Sequence, residues 1–187
     1  MRIRVIGLPR SGTTWMEFLV ENNINTPVTH WAKHKLPEDI GVNHDFEQSQ
    51  CALAVIVRKR LDHWLGSCVR AKGIIGRQRY PKILVDEHTL RADIYSMAQL
   101  HQEFHNQWTD WLTAGGYKFL VVEYADLLRD PRGTTQAVAR AAGATMTEKF
   151  TRGPKMRGDD AKVAYYLGED PWGQTPQNEI GKMVDYG

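Results

Sequence analysis

The stretch Val5–Trp15 constrains the fold most, because an apolar segment changes there into a loop of glycine, hydroxyl and basic residues. β-Branched and apolar residues over 2–8 predict a first strand, which Pro9 ends. Residues 14–23 are amphipathic enough to form the next helix. The stretch therefore predicts a strand, a loop and a helix that follow one another directly.

The loop of this unit is suited to binding an anion. Amide groups at the start of a helix have no intrahelical acceptor and lie at the positive end of the helix dipole. Gly12 lets the backbone approach an anion closely, and Arg10 adds a cationic fork. We expect phosphate contacts from Arg10, from the backbone amides of Ser11, Gly12, Thr13 and Thr14, and from the hydroxyls of Thr13 and Thr14. The alternative is an ordinary turn between a strand and a helix.

The loop lacks the Gly-Lys-Ser/Thr ending of the nucleoside-triphosphate P-loop. Its sequence, Pro-Arg-Ser-Gly-Thr-Thr-Trp, resembles the 5′-phosphosulfate loop of sulfotransferases that use 3′-phosphoadenosine 5′-phosphosulfate (PAPS). That family has Lys or Arg at the position of Arg10. The resemblance implies that the nucleotide is bound by Arg10, Ser11, Gly12, Thr13, Thr14 and Trp15.

A second stretch, residues 31–37, resembles the Lys-Thr-His-Leu-Pro segment of the cytosolic sulfotransferases, whose histidine is the general base. With Leu-Pro aligned, the histidine of this chain falls one place early, and Lys35 takes the family's position. We expect His34 to be the base, because imidazole titrates near neutrality. His30 and Lys35 are the substitutes, and a solvated surface histidine is the structural alternative.

Residues 52–57 form a continuous apolar run, as expected for a strand that is buried on both faces of a parallel sheet. The run leads into residues 58–67, which resemble the family's 3′-phosphate motif. The resemblance implies that Arg58 and Ser67 hold the 3′-phosphate. The family's usual offset of eight residues lands on Gly66, so another donor could replace Ser67, and a solvated helix start is the alternative.

Three further segments complete the predicted elements. Apolar and aromatic residues recur at helical spacing from Asp93 to Leu112, which predicts a core-packed helix. Residues 117–124 predict a buried strand, and residues 131–142 a helix that Gly143 ends. The Glu-Tyr-x-Asp-Leu-Leu block resembles a family region whose tyrosine lies against the adenine, a role that Tyr124 inherits. The alternative for Tyr124 is a structural role, in which it anchors the end of the strand.

The region 150–187 is polar and rich in glycine. Family members close the nucleotide site with a basic, glycine-containing loop near the C-terminus. The resemblance implies this role for Arg152 and Arg157, and the alternative is a basic tail without a ligand.

Composition limits the remaining possibilities. Lys and Arg total 24 against 22 acidic residues, and a net charge of +2 gives no general case for nucleic-acid binding. No apolar stretch approaches the roughly 20 residues of a membrane span. We therefore expect no membrane partner. Cys51 and Cys68 follow no disulfide pattern, so we expect a cytoplasmic protein. A length of 187 residues predicts a single domain over 1–187.

These observations predict a three-layer α/β/α fold with a central, mostly parallel sheet, of the P-loop-like sulfotransferase type. The resemblance implies transfer of a sulfuryl group from PAPS to a hydroxyl or amine of a small-molecule or carbohydrate acceptor, with PAP as the product. Arg10 and His34 would be catalytic, and no metal is required, since arginine and helix-end dipoles can supply the positive charge. The alternatives are a P-loop-like kinase of a small metabolite and an inactive protein that binds adenosine bisphosphate.

Overall fold

The structure is a computed structural model that describes residues 2–29, 33–37, 51–70 and 90–153. The chain divides into two compact units. The described parts of the first are 2–29, 33–37, 51–59 and 103–153, and those of the second are 60–70 and 90–102. The single domain expected over 1–187 stays a prediction.

The first unit contains a parallel sheet. Its strands are β1 (Arg2–Ile6), β2 (Val28–Thr29), β3 (Cys51–Arg58) and β4 (Phe119–Glu123). They lie in the order β2-β1-β3-β4, and every neighbouring pair is parallel. β2 lies on one side of β1 and β3 lies on the other, so the strand order reverses at β1. In open parallel sheets, ligands bind beyond the carboxyl ends of the strands at such a point. This arrangement confirms the α/β class.

The described residues also form helices between and after these strands. They are α1 (Thr13–Asn23), α2 (Leu61–Arg70), α3 (Leu90–Ala114), α4 (Tyr124–Arg129) and α5 (Pro131–Ala142). In the first unit α1 packs on β1 and β2, α5 packs on β3 and β4, and the two helices pack on each other. Among the helices within the described residues, none is both long and apolar enough to cross a membrane.

The central strand β3 is buried on both faces, as its continuous apolar sequence predicts. Residues 53–57 are all at most 1% exposed, although their side chains alternate between the faces of the sheet. β1 is buried similarly from Ile3 to Ile6. Side chains of residues 103–114 of α3 add Phe104, Trp108 and Leu112 to the core.

Helix α5 has the bounds that the sequence predicts, because both of its ends carry strong local signals. The Asp130 side chain caps the first turn by accepting from the Gly133 amide at 2.8 Å, and Pro131 occupies the first helical position. Gly143 is left-handed, with φ 66°, and the Ala144 amide donates to the Ala139 carbonyl at 2.9 Å. These contacts form a Schellman motif.

Helix α4 was not predicted from the sequence. β4 ends at Glu123, so Tyr124 begins a helix instead of ending a strand. Asp126 in the first turn and Arg129 in the last turn complement the helix dipole, and the two side chains form an ion pair at 3.2 Å. The position of Tyr124 is therefore set by α4 as well as by the sheet.

The segment that follows α5 is fastened to α1 by Asn23. The side chain of Asn23 is buried, donates to the Thr151 carbonyl at 2.8 Å and accepts from the Thr151 amide at 2.5 Å. The Asn23 carbonyl also accepts from the Thr147 amide at 2.9 Å. This clasp brings residues 151–153 alongside α1.

Asn22 and Asn23 provide a matched test of the clasp. Both side chains donate to the carbonyl four residues earlier, but only that of Asn23 also bonds to Thr151. We expect Asn23→Ala to lower the free energy of unfolding by about 1–3 kcal/mol, because polar groups of Thr151 lose their partners. Asn22→Ala should change it by less than about 0.5 kcal/mol. Equal effects in urea unfolding would contradict the clasp.

Candidate anion-binding site

A tight turn joins β1 to α1. The Leu8 carbonyl accepts from the Ser11 amide at 3.1 Å and from the Ser11 hydroxyl at 2.7 Å. Pro9 and Arg10 occupy the centre of the turn, and Arg10 has φ 70°, the pattern of a type II turn in which glycine is usual at the second central position. Ser11 is buried, and its amide, which the sequence predicts to face an anion, donates to the Leu8 carbonyl instead, as does its hydroxyl. Its contact with a phosphate stays a prediction.

The start of α1 offers the backbone donors that the sequence predicts. Gly12 has φ 102°, and its carbonyl accepts from the Trp15 and Met16 amides at 3.1 and 3.0 Å. Within the part of the chain that the structure describes, no side chain caps this helix. The amides of Thr13 and Thr14 lie in the first turn, where no intrahelical acceptor exists. A helix start of this kind is suited to binding an anion.

Gly7 connects this loop to the next part of the chain. The Gly7 amide donates to the Lys33 carbonyl at 3.0 Å, and its carbonyl lies 2.6 Å from Nδ1 of His34. A β-carbon at this position would lie 2.6 Å from Ser11 Oγ and 2.8 Å from the Val57 carbonyl. The loop, the end of β3 and the segment at residues 33–34 consequently meet at a glycine that has no room for a side chain.

The contact with Gly7 determines the chemistry of His34. Because a carbonyl only accepts, Nδ1 carries a hydrogen, and in the neutral ring the lone pair is then at Nε2. Burial lowers the pKa of His34 below its ordinary value of 6.5, and the charge of Lys33 acts in the same direction. The bond to Gly7 and the charge of Glu17 oppose this shift. His34 is thus a neutral imidazole at pH 7, in the form that can accept a proton.

Lys33 is a site residue that the sequence reasoning missed. Its ammonium donates to Oε2 of Glu17 at 2.5 Å and lies 3.4 Å from the hydroxyl of Thr14. It therefore brings positive charge to the first turn of α1. The sequence signal was its position next to His34, but its partner on α1 lies 16 residues away and no local pattern identifies it.

The end of β3 brings two further cations to the sheet edge. Arg58, about half exposed, donates from Nε to Oε1 of Glu123 at 2.7 Å and also from Nη2 to the same atom. Lys59 is buried, and its ammonium lies 4.0 Å from the ring centre of Tyr124. Lys59 was not predicted as a site residue, because its cation–π partner follows a different strand.

Tyr124 links Lys59 to the loop. A β-carbon on Gly12 would lie 2.6 Å from Cδ2 of the Tyr124 ring, so the ring packs directly against the loop backbone. Its ring is buried at this contact and against Lys59. A contact between Tyr124 and an adenine stays a prediction.

The remaining predicted residues fall into three groups. Trp15 donates from Nε1 to the Arg152 carbonyl at 3.2 Å, so the backbone of Arg152 lies beside the first turn of α1. Arg152 is exposed. Ser67 is in the second unit, where its hydroxyl donates to the His63 carbonyl at 2.8 Å. His30 and Arg157 lie outside the described residues.

Comparisons of the chain with protein-family models, with curated proteins and with solved structures found no match. Within the described ranges, no group of three or more His, Cys, Asp or Glu side chains is arranged to hold a metal ion. The expectation of a metal-free reaction stays a prediction. The candidate site consequently rests on the geometry of the loop and of its neighbours.

Arg10 permits a test of the loop conformation. Its left-handed backbone costs a residue with a side chain roughly 1–2 kcal/mol, and glycine avoids this cost at the expense of some chain entropy. We therefore expect Arg10→Gly to be more stable than Arg10→Ala by about 1 kcal/mol, although both lack the guanidinium. Urea unfolding measures the difference. An alanine variant at least as stable as the glycine variant would contradict the left-handed conformation.

Proposed function

We propose that the protein is a PAPS-dependent sulfotransferase. The observation that carries the proposal is the hydrogen bond from His34 to Gly7, which holds a neutral imidazole at the base of the glycine-containing loop. An anion-binding helix start and a base in the proton-accepting form are the parts that sulfuryl transfer needs. The resemblance of the loop to the 5′-phosphosulfate loop supports the choice of nucleotide.

We assign the chain to the three-layer, P-loop-like sulfotransferase fold, a proposal supported by the strand order and by the loop between β1 and α1. The proposed location is the cytoplasm, an assignment supported by two cysteines that follow no disulfide pattern. The acceptor is a hydroxyl or amine of a small molecule or carbohydrate.

The nucleotide phosphates are assigned to two places at the sheet edge. The 5′-phosphosulfate would bind Arg10 and the amides of residues 12–14, with Lys33 beside the Thr14 hydroxyl as an additional cation. The 3′-phosphate is assigned to Arg58, which would then share its guanidinium between Glu123 and the ligand. The nucleotide contacts that the family resemblance implies are proposed also for Ser11, Trp15, Ser67, Tyr124, Arg152 and Arg157.

In the proposed reaction, His34 acts on the acceptor, and Arg10 and the amides at the start of α1 act on the leaving group. Nε2 of His34 takes the proton of the acceptor group while the acceptor's oxygen or nitrogen forms a bond to sulfur. The bond between sulfur and the 5′-phosphate oxygen breaks, and Arg10 and the amides of the helix start stabilise the negative charge that develops on that oxygen. Because the pKa of His34 is lowered, the imidazole is already unprotonated at neutral pH.

The assignment of Arg58 predicts a preference for the 3′-phosphate. Calorimetry should give tighter binding of 3′,5′-adenosine bisphosphate than of 5′-AMP. Arg58→Ala should remove most of this preference, since a charge-assisted phosphate contact contributes about 1.5–3 kcal/mol. Glu123→Gln is the matched control, because it keeps the guanidinium and removes only the competing carboxylate, so affinity should not fall.

Other outcomes would favour the alternatives. Equal affinity of the wild-type protein for 5′-AMP and the bisphosphate would contradict the role of Arg58. Tighter binding of ATP with magnesium than of the bisphosphate would favour the small-metabolite kinase.

The role of His34 predicts a particular pH dependence of turnover. The rate should rise as the pH rises through the pKa of His34, because only the unprotonated ring accepts a proton. Since that pKa is lowered, this limb should lie below pH 6.5. His34→Ala should lower the rate about 10²–10⁴-fold and abolish the limb, while bisphosphate affinity stays nearly unchanged.

A pH–rate profile of both proteins, with any acceptor that is turned over, measures this effect. A His34→Ala variant that keeps its rate and the same limb would transfer the role to His30 or Lys35. Nucleotide binding without turnover of any acceptor would favour the inactive bisphosphate-binding protein.

A further inference from the structure

Helix α1 carries a carboxylate where an anion site would not be expected to have one. Glu17 lies one turn after Thr13, and its side chain is only 4% exposed. A carboxylate so close to a helix start that receives a phosphate would repel the ligand, and its burial is costly unless it is paired. The position of Glu17 therefore requires a cation.

Lys33 supplies that cation, and the ion pair determines where its ammonium lies. The distance from Nζ to Oε2 of Glu17 is 2.5 Å, while the distance to the Thr14 hydroxyl is 3.4 Å. The Lys33 side chain is 21% exposed, so its charge still reaches the surface beside the helix start. The backbone of the same residue is fixed separately, through the bond from the Gly7 amide.

Through these contacts, Lys33 is held at its ammonium by helix α1 and at its backbone by Gly7. A lysine side chain has about 2 kcal/mol of rotamer entropy to lose, and its ammonium is a point charge without directional preference. Backbone attachment alone would leave the ammonium free to move away from Thr14. The carboxylate on α1 removes that freedom before a ligand binds, which lowers the cost of ordering at the moment of binding.

We propose that Glu17 is a positioning residue of the anion site, whose buried carboxylate holds the Lys33 ammonium beside Thr14 as a preorganised cation for the ligand's phosphate. The inference rests on the proposed function, because it takes the loop to bind the nucleotide. Glu17 itself contacts no ligand and acts through Lys33.

Two variants separate this role from a general contribution to stability. Glu17→Gln keeps the shape of the side chain and removes its charge, and Glu17→Gln combined with Lys33→Met removes the pair without leaving a buried charge unpaired. Glu21→Gln is the control, because Glu21 lies on the same helix and is exposed.

The first measurement needs no nucleotide. NMR relaxation of the lysine side chains should give a Lys33 ammonium that is more ordered than that of its exposed neighbour Lys35. In Glu17→Gln the Lys33 ammonium should become as mobile as that of Lys35, and in Glu21→Gln it should not change. A Lys33 ammonium that is already as mobile as that of Lys35 in the wild-type protein would overturn the inference.

The second measurement is the affinity of the same proteins for 3′,5′-adenosine bisphosphate. Glu17→Gln should weaken binding about tenfold or more, because the Lys33 ammonium is then no longer held beside Thr14. Adding Lys33→Met should weaken binding little further. Unchanged affinity in Glu17→Gln, or a further loss on adding Lys33→Met that is as large as the first, would overturn the role of Glu17 while the proposed function stands. A wild-type protein with an ordered Lys33 that does not bind the bisphosphate would contradict the proposed function and this inference together.

Discussion

The site depends on the backbone of one glycine at the end of β1. The amide and the carbonyl of Gly7 bind Lys33 and His34, and the absence of a side chain lets Ser11 and the end of β3 approach it. Buried peptide groups require partners, and these two bonds give Gly7 its partners and fix the position of residues 33–34 beside the loop. The loop, the segment with His34 and the end of β3 consequently all contact Gly7.

The charges around this point are paired with other groups of the protein. Lys33 contacts Glu17, Arg58 contacts Glu123, and Lys59 lies over the ring of Tyr124. Like charges that converge at a sheet edge would destabilise the ligand-free fold, and these partners reduce that repulsion. An incoming anion would compete with the Glu123 carboxylate for Arg58, whereas Glu17 would keep the Lys33 ammonium beside the start of α1.

Local sequence patterns predicted most of the elements of the first unit. The apolar run before Arg58 and the Pro131 and Gly143 signals of α5 are strong, because burial on both faces and helix caps each leave a clear pattern. Helix α4 was missed, since its six residues directly follow a strand without a separating turn signal. The turn that Arg10 and Ser11 form was also missed, because glycine and not arginine usually takes the left-handed position.

The pairings within the site could not be predicted in the same way. The partners Arg58 and Glu123 are 65 residues apart and meet only because β3 and β4 are neighbours in register. The contact between Tyr124 and Gly12 likewise follows from the strand order and from the start of α4. Sequence reasoning predicted which residue types would lie near an anion, whereas the strand order determines which of these residues contact one another.

The central claim is that the backbone at the start of α1 binds the phosphate end of an adenosine nucleotide. The most direct measurement is an amide NMR titration of the full chain with 3′,5′-adenosine bisphosphate. We predict that the amides of Gly12, Thr13 and Thr14 show the largest shifts among the residues of the first unit, because they donate directly to the ligand. Saturable binding that leaves these three amides unshifted, or no binding at all, would contradict the claim.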